Sequence, residues 1–106
     1  MSVYVDKSKN GFGRMLMSHM IADTPDELRQ MANRIGVALH WFQHKASVPH
    51  FDIAQSKRAL ALRAGAIELD RSAFVDAMKR IRATWPRSAH GTWLLPVNPS
   101  SKLCND

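Results

Sequence analysis

The sequence predicts a small α/β domain with a partly parallel sheet. Three observations carry that expectation. Short β-forming runs alternate along the chain with stretches of helical character, the pattern of linked strand and helix units. Helix caps stand at fitting places: Thr24 and Asp70 at two starts, Gly36 and Gly65 at two stops. A chain of 106 residues, 45% hydrophobic and 23% charged, suits one globular domain.

Taken in order, SVYVD reads as a strand rich in β-formers that ends at Asp6. KSKNGFGR follows, and its two glycines mark a turn or mobile loop. MLMSHMIAD is apolar with His19 set inside it and reads as a strand or a buried turn. The next helix is the best marked. Thr24 is its N-cap, Pro25 its first residue, and Glu27 completes a capping box. Leu28, Met31, Ala32 and Ile35 share one face, and Gly36 stops the helix.

VALHWF is expected as a second strand or extended segment, and QHKASVP as a polar connection. HFDI leads into a second helix with Asp52 as its N-cap, Ile53, Leu60 and Ala64 toward the core, and Gly65 as its stop. AIEL is a third short strand. Asp70 then caps a third helix, whose Phe74, Met78, Ile81 and Trp85 form one stripe before Pro86 closes it. Three strands thus alternate with three helices. Residues 1–85 are expected to form the single domain, and 86–106 an extended, Pro-containing tail that packs by Trp93 and Leu94.

The net charge of +6 is unevenly placed. Residues 1–56 carry six Lys/Arg against five Asp/Glu; residues 57–106 carry nine against four. A basic half attracts polyanions, acidic protein surfaces or phosphorylated ligands, although a solvated basic face explains it equally. No run of about 18 apolar residues exists, so no membrane span is expected. MSVYVDKSKN has no apolar h-region of the kind a secretory signal needs. Cys104, the one cysteine, cannot form an internal disulfide and lies in a loose-looking tail; its usage fits a reducing cytoplasm.

The stretch from His50 to Ala66 is the most informative. It places His50, Asp52, Ser56, Lys57 and Arg58 within nine residues. Asp6, His19 and Asp23 come from separate segments and complete one candidate site. Strand ends hold ligands in α/β sheets, which favours Asp6. His50 and Asp52 alternate, as two ligands on one side of a strand do. His19 and Asp23, four apart, lie on one side of a helix or strand. Imidazoles and carboxylates together suit Mg, Mn or Zn, with Asp6 and Asp23 as metal carboxylates, but no HExxH or CxxC motif is present.

Arg14, Ser56, Lys57 and Arg58 support a second chemistry. The last three fall in the first turns of a helix, where free N–H groups and the dipole favour an anion. Arg14 follows GFG, a loop able to fold over a ligand, and Arg matches phosphate oxygens in pairs. The plainer alternative pairs Arg58 with Asp52 or Asp6. Trp41 and Gln43 lie between the two polar groups, where Trp41 stacks on a base or fills a core. KRIR, at 79–82, lacks aromatic interleaving and reads as a solvated face. No GxSxG, Walker A or dinucleotide glycine fingerprint is present.

These motifs resemble those of an uncharacterised family of short bacterial and phage proteins, classed as a domain of unknown function. The residues that carry the resemblance are VYVD (3–6), Gly13-Arg14, HMIAD (19–23), Glu27-Leu28 and ANRIG (32–36). Trp41, HFDI (50–53), SKRALA (56–61) and Gly65-Ala66 complete it. It covers about residues 3–70. The chain departs from the pattern at Phe51, where a tyrosine is frequent, and in its tail. The resemblance implies a cytoplasmic bacterial or phage protein and supplies no established activity.

The residues themselves lead to an expectation of function. A phosphate-bearing ligand, a nucleotide or nucleic-acid end, is held by Arg14, Lys57 and Arg58. His19 or His50 is the general acid or base of any hydrolytic step, because imidazole titrates near neutral pH. Asp6 and Asp52 orient that histidine or hold a divalent metal, the one cofactor in view. The alternative is a phage-encoded interaction or inhibitor protein whose basic half docks on an acidic host surface. A third reading is sequence-tolerant nucleic-acid binding, which predicts steep weakening with salt. The sequence leaves oligomeric state open.

Overall fold

A computed structural model describes residues 2–95. The order is β1 (Val3–Val5), β2 (Asn10–Phe12), β3 (Met15–Ala22), α1 (Pro25–Ile35), a 3-10 turn (Leu39–Trp41), β4 (Phe51–Ala54), α2 (Gln55–Arg63), β5 (Ile67–Glu68) and α3 (Arg71–Thr84). Three helices and a mixed five-stranded sheet make the α/β class predicted from the sequence. The β1–β5 pair is parallel; the other pairs are antiparallel.

The long strand β3 organises the sheet. Met17 pairs with both Asn10 and Ala54, and Met20 with both Val5 and Phe51. Strand β4 therefore takes one edge of β3, while β1 and β2 share the other. Residues 6–9 bow out between β1 and β2. Gly13 and Arg14 join β2 to β3 by a two-residue turn, with φ 60° at Gly13 as a type II′ hairpin needs.

Alternation along β3 puts His19 on the face of Tyr4 and Ile21, because Tyr4 pairs with Ile21. His19 pairs with Asp52, so Asp52 shares that face. Helix α3 reaches it through Phe74, 6.5 Å from the His19 ring, and Arg80, over the Tyr4 ring. The core joins Val5, Met20, Ala22, Phe51 and Ile53 of the sheet to Leu28, Ala32 and Ile35 of α1 and Ile81 of α3.

Helix α1 follows the sequence expectation. The Glu27 N–H donates to Thr24 Oγ1, and Gly36 takes φ 80° as the left-handed C-cap. Asp70 caps α3 by accepting from the Ala73 N–H. Four local expectations are corrected. KSKNGFGR is no plain loop, since Asn10–Phe12 pairs with β3. VALHWF holds a 3-10 turn rather than a strand. HFDI belongs to β4, so α2 begins at Gln55, and Ala54 rather than Asp52 is its N-cap. Ala61 is the buried residue of α2, whereas Leu60 is exposed.

Beyond α3 the chain turns back. Arg87 and Trp93 form an antiparallel bridge. Buried Trp93 donates its backbone N–H to the His44 carbonyl (2.8 Å) and its indole N–H to the Ala46 carbonyl (2.7 Å). The Trp85 indole donates to the Leu94 carbonyl, while the Leu94 side chain is exposed. Pro96, Pro99 and Cys104 lie outside the described residues. Among the described residues no helix is long and apolar enough to cross a membrane.

Candidate functional site

The bow at residues 6–9 builds one wall of the site. Where β1 leaves the ladder, the His19 N–H finds the Asp6 side chain instead of a strand partner, at 2.9 Å. The other Asp6 oxygen accepts from His19 Nδ1 (2.6 Å) and from the Ser8 hydroxyl (2.8 Å). Burial alone would raise the Asp6 carboxyl. The His19 ring and backbone N–H bonds and the Ser8 bond outweigh it and hold the group below the usual carboxylate range. The Asp6 hydrogen bond raises the His19 imidazole above its ordinary value, against partial burial and with help from the charges of Asp6 and Asp52.

On the opposite edge, His50 and Asp52 project from β4 and its approach. His50 Nδ1 lies 2.9 Å from the Val48 carbonyl, and its Nε2 lies 3.2 Å from Asp52 Oδ1. The same Asp52 oxygen is 3.6 Å from His19 Nε2. The two imidazoles meet edge to face, with ring centres 5.3 Å apart. Both Nδ1 atoms face acceptors, so each ring directs Nε2 inward to one carboxylate oxygen.

This cluster opens into a cleft of about 560 Å³. Met15, Met17, Val37, Ala38 and Ile53 make it largely apolar, and the half-exposed Trp41 ring forms one wall. Asn10, His19, Gln43, Asp52 and Lys57 supply its polar groups. An apolar cavity with few convergent polar groups, inside the rough 300–1,000 Å³ range, is the usual form of a small-ligand site. Lys57 stands in the first turn of α2 beside the C-cap of α1: a Cβ at Gly36 would meet its Nζ at 3.1 Å. Ala54 caps α2 with no side-chain hydrogen bond and also lines the cleft.

Other candidates stand elsewhere. Arg58 donates through Nε to the Asp6 carbonyl (3.0 Å) and pairs with Glu68, so it braces β1, α2 and β5 from behind the cluster. Ser56 is exposed and does not line the cleft; Arg14 is exposed in the β2–β3 turn. Asp23 lies at the other end of the β1–β3 ladder from Asp6. It accepts from the Ser2 N–H, the Tyr4 hydroxyl and Arg80 (2.8–2.9 Å), which leaves it no part in a shared metal site with Asp6. KRIR splits: Arg80 holds Asp23, and Ile81 is buried.

The sequence reading missed Ser8 and the Val48 carbonyl. Ser8 stands two residues from Asp6, a spacing that allows a local side-chain bond. A backbone carbonyl leaves no residue signature.

Comparison with known proteins adds the lineage of this arrangement. The family model described as Protein of unknown function (DUF4031) matches residues 3–81. The chain belongs to that family. The match runs from β1 into α3 and so takes in every residue of the DUF4031 cleft and cluster. No curated protein matches the chain, and no solved structure does.

Proposed function

We propose that the cleft binds a phosphate-bearing ligand of nucleotide size, and that the imidazole cluster at its floor serves hydrolysis of that ligand. The supporting observation is the placement of Lys57 and the uncapped start of α2 in the same cleft as the Trp41 ring. A cation beside free helix N–H groups suits an anion, and an exposed tryptophan suits a base. Arg58 leaves this part of the reading, because it holds the Asp6 carbonyl and Glu68, while Arg14 stands exposed in the turn between the cleft-lining Gly11 and Met15. His19, oriented through Nδ1 by Asp6, is the group at the floor that exchanges a proton at Nε2.

Calorimetric titration of the chain with AMP, ADP and inorganic phosphate tests the reading. Saturable binding is expected, with affinity lost in Lys57→Ala and the base contribution lost in Trp41→Ala. Equal affinities in the native chain and both variants, or no saturable binding, would sink it.

A further inference from the structure

We infer that His19, His50 and Asp52 form a site for one zinc-type divalent cation at the floor of the cleft. The Val48 carbonyl can only accept, so His50 Nδ1 carries a hydrogen. Asp6 already accepts the His19 backbone N–H and takes the ring Nδ1–H as well. In their neutral forms the two imidazoles each turn an Nε2 lone pair toward Asp52 Oδ1, at 3.6 Å from His19 and 3.2 Å from His50. Two lone pairs and a carboxylate oxygen that face one point are mutually repulsive until a proton or a metal cation sits between them, and three donors converging on one point suit the cation.

The distances suit an ion. One donor atom from each residue lies within 4.8 Å of the other two. Donors held about 2.0–2.1 Å from a tetrahedral zinc ion stand about 3.3 Å from one another, so modest side-chain rotation closes the set. Two nitrogens and one oxygen select zinc or a neighbouring first-row ion over calcium and magnesium, which prefer oxygen alone. The outer contacts are a second observation. One imidazole is backed by a carboxylate and the other by a backbone carbonyl, the two partners that orient metal-bound histidines. Asp52 and His19 are 38% and 35% exposed and line the cleft, so coordination positions stay open on the ligand side.

This inference deepens the proposed function, because a cation at Asp52 would bridge that carboxylate to a phosphate it otherwise repels. With the ion bound, His19 Nε2 and His50 Nε2 are ligands, and the proton exchange at His19 belongs to the ion-free chain. The site nevertheless rests on its own atoms and is testable with metal alone.

The experiment is calorimetric titration of the full chain with Zn²⁺, compared with Mg²⁺, in a Cys104→Ser background that removes the free thiol. One Zn²⁺ per chain is expected, with no Mg²⁺ site in the same range. Asp52→Asn and His50→Ala, each checked for native circular dichroism, should lose the saturable site. Asp52 is partly exposed, so Asp52→Asn decides the matter even if His50→Ala does not fold. Asp6→Asn should weaken binding by about 10- to 100-fold through lost orientation of His19. Lys57→Ala should leave Zn²⁺ binding unchanged while it removes nucleotide binding, which separates failure of the ion from failure of the anion reading. Zinc binding that survives Asp52→Asn would place the ion elsewhere, such as exposed His44 or His90, and overturn the inference. Absence of saturable Zn²⁺ binding to the parent chain overturns it too and leaves the cluster a proton-holding network.

Discussion

His19 and Asp52 stand directly opposite each other on β3 and β4, and this pairing, across 33 positions of sequence, makes the centre of the cluster. From the other edge Asp6 accepts three hydrogen bonds, from the His19 ring, the His19 backbone N–H and the Ser8 hydroxyl. Asp6→Ala leaves those donors without their acceptor. It should destabilise the chain by about 1–3 kcal/mol in urea unfolding at neutral pH. An unchanged midpoint would mean that water replaces the carboxylate at no cost.

Acid stability should depend on Asp23. Burial would raise its carboxyl, but Arg80, the Ser2 N–H and the Tyr4 hydroxyl overcome that and lower it. Its folded value thus lies below its unfolded value, about 3.9. The stabilisation is complete above the unfolded value and disappears as pH falls through the folded one. Asp23→Asn should therefore be less stable than the native chain at neutral pH, with the gap closing in acid. A gap constant with pH, followed by thermal unfolding, would contradict this.

How much of this was legible in the sequence depended on how local the cause was. Helix α1 was legible because Thr24, Pro25, Glu27 and Gly36 each act within one turn. The start of α2 was not, because Ala54 has no capping oxygen and the boundary is set by β4 pairing with β3. Asp52 alternates with His50 and also looks like a cap; only the sheet decides between the two. The three residues of β2 are strand solely through Met15–Met17. In the site, His19, His50, Asp52, Trp41 and Lys57 were readable by residue type. Arg58 read as an anion binder or as the partner of Asp52 or Asp6, and its acid is instead Glu68, which lies on a two-residue strand. Val37 and Ala38 carry no chemistry and gave no sign of lining a cleft.

Gly36 combines two constraints, a left-handed φ and the nearby Lys57 ammonium. Gly36→Ala should cost about 1–2 kcal/mol from the backbone, with an added penalty from the lysine. In a Lys57→Ala background the added part should vanish. A double-mutant cycle of denaturation midpoints with no coupling would show that Lys57 moves aside freely.

Trp93 seals the returning segment against residues 44–46. Trp93→Ala should lower stability by about 3–5 kcal/mol, read by chemical denaturation. Trp41→Ala, at a wall that is 57% exposed, should change it by less than about 0.5 kcal/mol. Equal losses at the two tryptophans would show that Trp41 supports the fold rather than the cleft.

The backbone amide of His19 is bonded to a side chain from residue 6, while the carbonyl of that same residue is held by Arg58 of α2. No short fragment contains all three. Fraying at the start of β1 leaves the bond to the His19 amide in place, because Arg58 holds Asp6 from α2. The hydrogen exchange of that amide should report the opening of the whole molecule, which makes it a clock for the cooperative unit rather than for the loop it borders.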